Sequence, residues 1–303
     1  MSKLITVFGA TGNQGGSVIK HILADAVLSK EFKIRGITRD TSKPAAQALA
    51  QKGVELKSAN LDSKSSVVEA VAGSHTVFLV TNYWESKDAA KELSQGKNVA
   101  DAAKEGGVSH IIFSSLLNVT ETSRGRLTHV PHFDAKADIE QYIRGTGVPS
   151  TFVLPGYFMS NFTHMLRPKE DGSLTLAFPV SSQAKFPLLD AAGDYGKFVK
   201  AAIKHSASLN GKRVYAASDY YTPERILADV EEVTGKKTAY VQLTPEQYKA
   251  ALPAATADEM LENHLFIEKP GYFNGEILKE SLDLLDEKPT TWKEFITKSR
   301  AFH

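Results

Sequence analysis

The sequence predicts an α/β fold, namely a doubly wound parallel sheet with a smaller C-terminal α/β lobe. Two observations lead to this class. Short, almost wholly apolar runs rich in β-branched residues alternate with helical patterns through the first half of the chain. Such runs are typical of strands buried on both faces, as in a parallel sheet covered by helices. In addition, a glycine-rich turn joins the first predicted strand to the first predicted helix, an arrangement typical of this class.

The alternation can be followed element by element through the first half. The predicted strands are residues 4–10, 32–39, 54–61, 75–82, 110–116 and 150–158. The predicted helices between them are residues 15–25, 42–53, 63–73 and 91–107. Gly53 and Gly73 stand where the second and third helices should end, as C-terminal glycines often do. Right-handed crossovers would then bring the carboxyl ends of all these strands to one edge of the sheet.

The pattern loosens after residue 158. The later elements predicted are a hairpin-like excursion at 172–180, a helix at 192–205, a strand at 211–219 and helices around 223–234 and 276–287, with loop-rich sequence between the last two. We therefore expect residues 1–155 to form one domain, to which 190–219 return, and residues 156–189 with 220–303 to form the smaller lobe.

Composition excludes several functional classes. The 303 residues carry 36 basic and 35 acidic side chains, a net charge of +1. This balance lacks the excess of positive charge expected of a protein that binds nucleic acid directly. The absence of cysteine excludes disulfides, thiolate metal sites and thiol catalysis. No apolar run approaches the ~18 residues of a membrane span, and the first strand begins without a signal-peptide pattern. We expect a cytoplasmic protein, with nuclear access left open, and no membrane association or metal site.

The glycine turn reads VFGATGNQGGSV and places Gly9, Gly12 and Gly15 between a strand and a helix. Without Cβ atoms, the backbone there can approach a pyrophosphate closely. The N–H groups and the positive dipole end of the helix would bind its charge. The alternative is a turn that serves only close packing of the strand against the helix. The strand–turn–helix context favours dinucleotide binding.

The end of the second strand bears on the choice between NAD and NADP. An acidic residue there usually holds the ribose 2′-hydroxyl of NAD, whereas a cation accommodates the 2′-phosphate of NADP. Arg39 stands at this position and can fork onto a phosphate. Asp40 follows it and could instead bond a ribose. We favour NADP(H).

Polar residues follow the next strands along the same edge. Asp62 could contact the adenine amine or could cap the following helix. Asn82, with Thr81, should lie near the middle of the cofactor, and Ser114 with Ser115 near its nicotinamide end.

His132 and Lys136 are four residues apart at the start of a predicted helix and therefore share one face. Spacing alone leaves three interpretations open: a proton-transfer pair, a ligand clamp, or two solvated side chains.

The whole chain resembles the NmrA-like family, atypical relatives of the short-chain dehydrogenases/reductases. The segments that carry the resemblance are residues 7–18, 107–116, 132–162, 233–252 and 289–296. The resemblance implies a Rossmann-type domain, a small C-terminal α/β lobe and NADP(H) between them. The cofactor contacts it implies are Gly9, Thr11, Gly12, Asn13, Gln14, Gly15, Arg39, Asp62, Asn82, Lys136, Pro155, Gly156, Tyr157 and Phe158, with Asn161 also near the cleft. For Tyr157 and Phe158, core packing is an equal alternative to stacking on a ligand.

The resemblance also directs attention to a substitution at the catalytic helix. Active short-chain dehydrogenases place a proton-donating tyrosine four residues before the lysine, and this sequence has His132 there. An imidazole with an ordinary pKa near ~6.5 can donate a proton, but a nearby Lys136 would disfavour its protonated form. Relatives without the tyrosine are either redox sensors or reductases. We predict an NADP(H)-binding redox sensor that acts through a partner protein with little turnover. The alternative is an NADPH-dependent reductase of a small quinone, imine or enone, in which His132 and Lys136 are the catalytic pair. The sequence leaves the partner, the substrate and the oligomeric state open.

Overall fold

The computed structural model describes residues 2–302, which form three sheets and their surrounding helices. The strands are β1 (Lys3–Val7), β2 (Phe32–Thr38), β3 (Glu55–Ser58), β4 (Thr76–Leu79), β5 (His110–Ser114), β6 (Ser150–Pro155), β7 (Tyr157–Phe158), β8 (Arg167–Pro168), β9 (Leu174–Phe178), β10 (Phe186–Leu189), β11 (Arg213–Ala216), β12 (Asp219–Tyr221) and β13 (Thr238–Gln242). The α-helices are α1 (Asn13–Ala24), α2 (Leu28–Glu31), α3 (Pro44–Ala50), α4 (Lys64–Val71), α5 (Tyr83–Ser86), α6 (Ala89–Glu105), α7 (Val119–Thr122), α8 (Pro131–Thr146), α9 (Phe162–Met165), α10 (Ala191–Lys204), α11 (Pro223–Thr234), α12 (Pro245–Ala250), α13 (Ala254–Phe266), α14 (Lys279–Asp283) and α15 (Trp292–Lys298). Short 3-10 turns cover Met159–Asn161 and Arg300–Phe302, and a π-helical turn covers Ile267–Gly271.

The largest sheet has seven parallel strands in the order β11-β6-β5-β4-β1-β2-β3. The chain runs outward from β1 through β2 and β3, and then outward in the other direction from β4. The predicted α/β class with a doubly wound parallel sheet is therefore confirmed. In such a sheet, the reversal of strand order between β1 and β4 leaves a crevice at their carboxyl ends, where ligands bind.

The central strands β4, β5 and β6 lie in the interior because their sequences are mostly apolar. Every residue of β4, β5 and β6 is buried. Alternate side chains enter opposite layers, so that Val77 and Leu79 join one core cluster and Phe78 the other. Each such side chain stabilises the fold by about 1.5–3 kcal/mol when fully buried. Sequence of this kind has no polar face and has to lie between two helical layers.

Two small sheets lie outside the large one. β7, β10 and β12 form the first, and β8, β9 and β13 form the second. β8 and β9 pair antiparallel, so the predicted hairpin-like excursion at 172–180 is confirmed in outline. β13 adds to β9 in parallel, over residues 238–242. The proposed division of the chain at residues 155, 189 and 219 stays a prediction.

The prediction for the C-terminal region was partly wrong. Residues 235–275, expected to be loop-rich, contain β13, α12 and α13, and the helix expected at 276–287 is limited to the five residues of α14. α13 buries Glu259, Asn263 and His264 as well as apolar side chains. Buried polar residues break the apolar period from which a helix is recognised.

Helix α8 is held closely against the large sheet. Gly96 of α6 allows α8 to pack closely against α6 as well, since a Cβ there would lie 2.5 Å from the side chain of Ile139. Glu140, fully buried on α8, accepts hydrogen bonds from Ser115 Oγ at 2.6 Å and Arg213 Nε at 2.9 Å. These contacts fix the second half of α8 relative to β5 and β11.

Within residues 2–302, no helix combines the length and the apolar character that crossing a bilayer requires. The same residues contain no group of three or more histidine or carboxylate side chains arranged to hold a metal ion.

Candidate functional site

A cleft of about 500 Å³ opens at the carboxyl edge of the large sheet, where the strand order reverses. Its walls come from the segments after β1, β2, β3 and β4, together with one residue of β7. The predicted site residues that line it are Gly9, Thr11, Gly12, Asn13, Gln14, Gly15, Arg39, Asp62, Asn82 and Phe158. The other residues predicted at the site, namely Ser114, Ser115, His132, Lys136, Pro155, Gly156, Tyr157 and Asn161, lie outside its lining.

The glycine turn forms the floor of the cleft. Gly9 adopts a φ of +64°, which favours glycine, and its carbonyl accepts the N–H of Gly12 at 2.9 Å. A Cβ on Gly15 would lie 2.3 Å from the carbonyl oxygen of Gly9, so the turn tolerates no side chain there. Gly12 is the N-cap of α1 and makes no side-chain cap, which leaves the first N–H groups of the helix for another acceptor. Gln14 Nε2 donates to Ser114 Oγ at 2.8 Å and ties the turn to β5.

Arg39 and Asp40, which follow β2, are the two residues that the sequence offered as ligands of the ribose or its phosphate. In the structure their side chains have different partners. Arg39 lines the cleft, its side chain is 70% exposed, and its guanidinium pairs with the carboxylate of Glu85. Asp40 accepts hydrogen bonds from the N–H of Ser42 at 2.9 Å and from its hydroxyl at 2.6 Å. Asp40 is engaged in this turn and does not line the cleft.

Asp62 lies at the end of the cleft near the third strand. Its carboxylate accepts a hydrogen bond from Gln95 Nε2 at 2.7 Å and pairs with Lys91 Nζ at 3.1 Å. These contacts, the Gln95 hydrogen bond first, hold the pKa of Asp62 below its usual range. The following helix is capped by Ser63, whose hydroxyl accepts the N–H of Ser66. The capping alternative for Asp62 is therefore wrong, and its contact with adenine stays a prediction.

Lys136 contacts a residue of the cleft wall but does not itself line the cleft. Its ammonium donates to the carbonyl oxygen and hydroxyl of Thr81, at 3.1 and 2.9 Å, and to Glu92 Oε1 at 2.5 Å. Burial lowers the pKa of Lys136, and Glu92 acts in the opposite direction. Oε2 of Glu92 has no hydrogen-bond partner within residues 2–302. The lysine thus fixes Thr81, which does line the cleft beside Asn82.

His132 is 7% exposed and contacts the C-terminal lobe. Its Nδ1 lies 2.5 Å from Oε1 of Glu259 on α13. The ring of Trp84 packs against the imidazole with 4.9 Å between centroids. The hydroxyl of Tyr83 donates to Oε2 of the same Glu259 at 3.4 Å, and burial, followed by this carboxylate, raises the pKa of Tyr83 to about 12. The position of the usual proton donor is thus part of a contact between α8 and α13.

The two aromatic residues of β7 point to opposite sides, as neighbours in a strand do. Phe158 lines the cleft. Tyr157 packs against Phe186 and Phe162, with ring centroids at 5.2 and 5.6 Å, and its hydroxyl contacts Met165 Sδ at 3.2 Å. Core packing therefore applies to Tyr157, whereas Phe158 lies at the cleft, where its stacking on a ligand stays a prediction.

Three carboxylates of this region were missed by sequence reasoning, namely Glu85, Glu92 and Glu259. Glu85 and Glu92 follow the Thr81-Asn82 pair closely in the chain, and that proximity was the available signal. Glu259 is 127 residues from the histidine it contacts, and nothing local marks it.

The strand order and the glycine turn at the head of α1 define a Rossmann-type α/β protein. The chain belongs to the NmrA-like family, because the model of that family matches residues 1–296. Among curated relatives, it is 34% identical over 257 residues to the NmrA-like family domain-containing oxidoreductase malD of Malbranchea aurantiaca, which covers 80% of this chain and 76% of that protein.

Solved structures of NmrA, a negative transcriptional regulator, have the same fold. The structure of NmrA in complex with NADP superposes with a TM-score of 0.84 at 25% identity, covering 98% of this chain and 95% of that one. The structure of NmrA in complex with NAD gives the same TM-score, identity and coverage.

Proposed function

We propose that this chain binds a nicotinamide dinucleotide in the cleft, NADP(H) in particular, and acts as a redox-responsive regulator through a protein partner, with little turnover of its own. The observation that carries the proposal is the glycine turn, which opens the N-terminus of α1 into the cleft with Arg39 at its other end. When bound, the nicotinamide supplies hydride-transfer chemistry. The chain supplies binding and orientation.

The turn fits a pyrophosphate because its glycines have no side chains. A Cβ on Gly15 would clash with the backbone of Gly9, and Gly9, Gly12 and Gly15 all line the cleft without a side chain. Negative charge at a helix N-terminus is stabilised by about 0.3–1 kcal/mol, in addition to the hydrogen bonds.

The adenosine end fits a 2′-phosphate through Arg39, whose guanidinium can form two parallel hydrogen bonds to phosphate oxygens. Asp40, the alternative ribose ligand, is committed to Ser42. The two complexes of NmrA support a dinucleotide here, and Arg39 favours the phosphorylated one.

Little turnover is supported by the state of the two residues at the catalytic positions. His132 and Lys136 are each engaged by a buried carboxylate, Glu259 and Glu92 respectively, and neither lines the cleft. A proton donor has to reach the reacting atom directly or through one water.

The segment after β4 offers a route from the cleft to a partner surface. Asn82 and Glu85 line the cleft, while Tyr83 between them contacts Glu259 of the C-terminal lobe. Trp84, in the same turn, packs against His132 and is 44% exposed. A ligand that contacts Asn82 would therefore bias the position of an exposed aromatic side chain, a type that is enriched at interfaces.

Calorimetric titration of NADPH and NADP⁺ tests the binding claim. We expect saturable binding to the wild type and a loss of at least about tenfold in Gly15→Ala, since the new Cβ would push the turn apart. Gly145→Ala is the matched control, because a Cβ there meets nothing within 4 Å. Equal affinities of Gly15→Ala and wild type would refute this use of the turn.

The regulator claim is tested by the fluorescence of Trp84. The chain has two tryptophans, and the other, Trp292, is fully buried, so the difference in emission between wild type and Trp84→Phe gives the signal of Trp84. We expect NADPH and NADP⁺ to differ in affinity or in their effect on Trp84 emission. Identical affinities and identical spectra would contradict redox sensing.

A second candidate is an NADPH-dependent reductase, favoured by the relative that is named an oxidoreductase. Quinones, imines, enones and triphenylmethane dyes accept hydride with less acid assistance than a simple ketone needs. The test is NADPH oxidation with a member of each class. Turnover with one class would support the reductase, whereas saturable NADPH binding without turnover in any class would support the regulator.

A further inference from the structure

We propose that Glu85 determines cofactor specificity: its carboxylate competes with the 2′-phosphate of NADP(H) for Arg39, and it accepts a hydrogen bond from the ribose 2′-hydroxyl of NAD(H). This inference rests on the proposed dinucleotide site. It adds that the site accepts both cofactors, because Glu85 weakens the preference that Arg39 alone would give.

The first support is the position of the pair. Arg39 directly follows β2 and Glu85 lies in α5, after β4, so the two approach the same part of the cleft from different strands. Their side chains are 70% and 50% exposed, and both line the cleft. An ion pair so accessible to water is weak and exchanges readily for another partner.

The second support is the charge of the cleft wall. Among the described residues that line it, the cations are Arg39 and Lys91 and the carboxylates are Glu85 and Asp62. Each cation pairs with one of the carboxylates. A 2′-phosphate with a charge of about −2 therefore meets a wall whose charges already balance, and it competes with Glu85 for the guanidinium.

The third support is the commitment of Asp40. In a site that prefers NAD, an acidic residue at the end of the second strand usually holds the ribose hydroxyl. Here that carboxylate bonds Ser42 in its own turn. Glu85 is the carboxylate that pairs with Arg39 at the cleft, and it can take over the role from the segment after β4.

The glutamine variant Glu85→Gln keeps the size of the side chain and removes its charge. We expect the Kd of NADPH to fall by ~5-fold, because Arg39 is freed from an exposed pair. We expect the Kd of NADH to rise by ~5-fold or more, because an amide replaces a charged acceptor. The ratio of the two affinities should thus change by more than about tenfold.

Arg39 provides the internal check. In Arg39→Ala there is no guanidinium to compete for, so adding Glu85→Gln should no longer tighten NADPH binding. The loss of NADH affinity should persist in that double variant. Glu280→Gln, on the exposed side of α14, is the matched control for a change of one charge elsewhere, and thermal melts of each variant establish that it is folded.

Calorimetric Kd values for NADPH and NADH separate the possible results. A shift of the affinity ratio in Glu85→Gln but not in Glu280→Gln supports the inference. If wild type binds a dinucleotide and Glu85→Gln leaves both Kd values within twofold, the inference is wrong and the proposed function stands. If wild type binds neither dinucleotide, the proposed function itself fails.

Discussion

Replacing Lys136 by alanine separates a positioning role from a cofactor-binding role. Its ammonium is the counterion of Glu92, which is 1% exposed and has one oxygen already without a partner within the described residues. Removing one member of a buried pair usually destabilises a protein by about 3–5 kcal/mol, since a charge is left unpaired. With an unfolding entropy of about 2.1 cal/mol/K per residue, each kcal/mol lowers the Tm of a 303-residue chain by ~1.6 °C. Lys136→Ala should therefore melt about 5–8 °C below wild type.

The double variant Lys136→Ala/Glu92→Ala is the control, because it removes both charges together. It should regain at least about 2 kcal/mol relative to the sum of the single variants. The assay is thermal unfolding followed by circular dichroism, combined with NADPH titration below the melting range. Since Lys136 lies outside the cleft lining, we expect the NADPH affinity of the folded variant to change by less than about threefold. An unchanged Tm together with a large loss of NADPH affinity would refute this reasoning and would make Lys136 the cofactor contact that the family resemblance implies.

Two further predictions concern Phe158 in the cleft wall and the contact between His129 and Glu262. Phe158→Ala should weaken NADPH binding in calorimetry, whereas Tyr157→Phe should leave it unchanged, because only Phe158 lines the cleft; the reverse order would contradict the assignment of the two faces of β7. The Glu262 carboxylate beside His129 raises the pKa of that imidazole. The stabilisation by this pair is therefore fully present at pH values below the ordinary pKa of about 6.5. It is lost as the pH rises through the raised pKa of the folded state. In thermal unfolding, His129→Gln should consequently be less stable than wild type at about pH 6, by no more than about 1 kcal/mol because the ring is 62% exposed. The two stabilities should match at about pH 9. An equal deficit at both pH values would contradict this.

The predicted site residues that line one cleft in the structure are placed there by local geometry. The glycine turn, Arg39 and Asn82 each stand directly after an apolar strand, and parallel strands bring such positions to one edge. A short motif in the context of strand and helix was enough to predict that these residues would share a cleft.

The parts that the sequence could not predict depend on contacts between distant segments. Period-two alternation shows that Tyr157 and Phe158 face opposite sides, but it does not show which side is the cleft. The family resemblance places His132 and Lys136 at the catalytic helix, and only the folded chain shows that Glu259 and Glu92 engage them. Pairing at such separations is set by tertiary packing, of which a single sequence holds no local sign.

The central claim is a dinucleotide cleft in which Arg39 holds the 2′-phosphate, and calorimetric titration of NADPH and NADH into wild type and Arg39→Ala tests it most directly. Wild type should bind NADPH saturably, and the variant should lose about tenfold or more in NADPH affinity, because hydrogen bonds to a charged group contribute about 1.5–3 kcal/mol. NADH affinity should be maintained. No saturable binding of either dinucleotide to wild type, or an NADPH affinity that Arg39→Ala leaves unchanged, would contradict the claim.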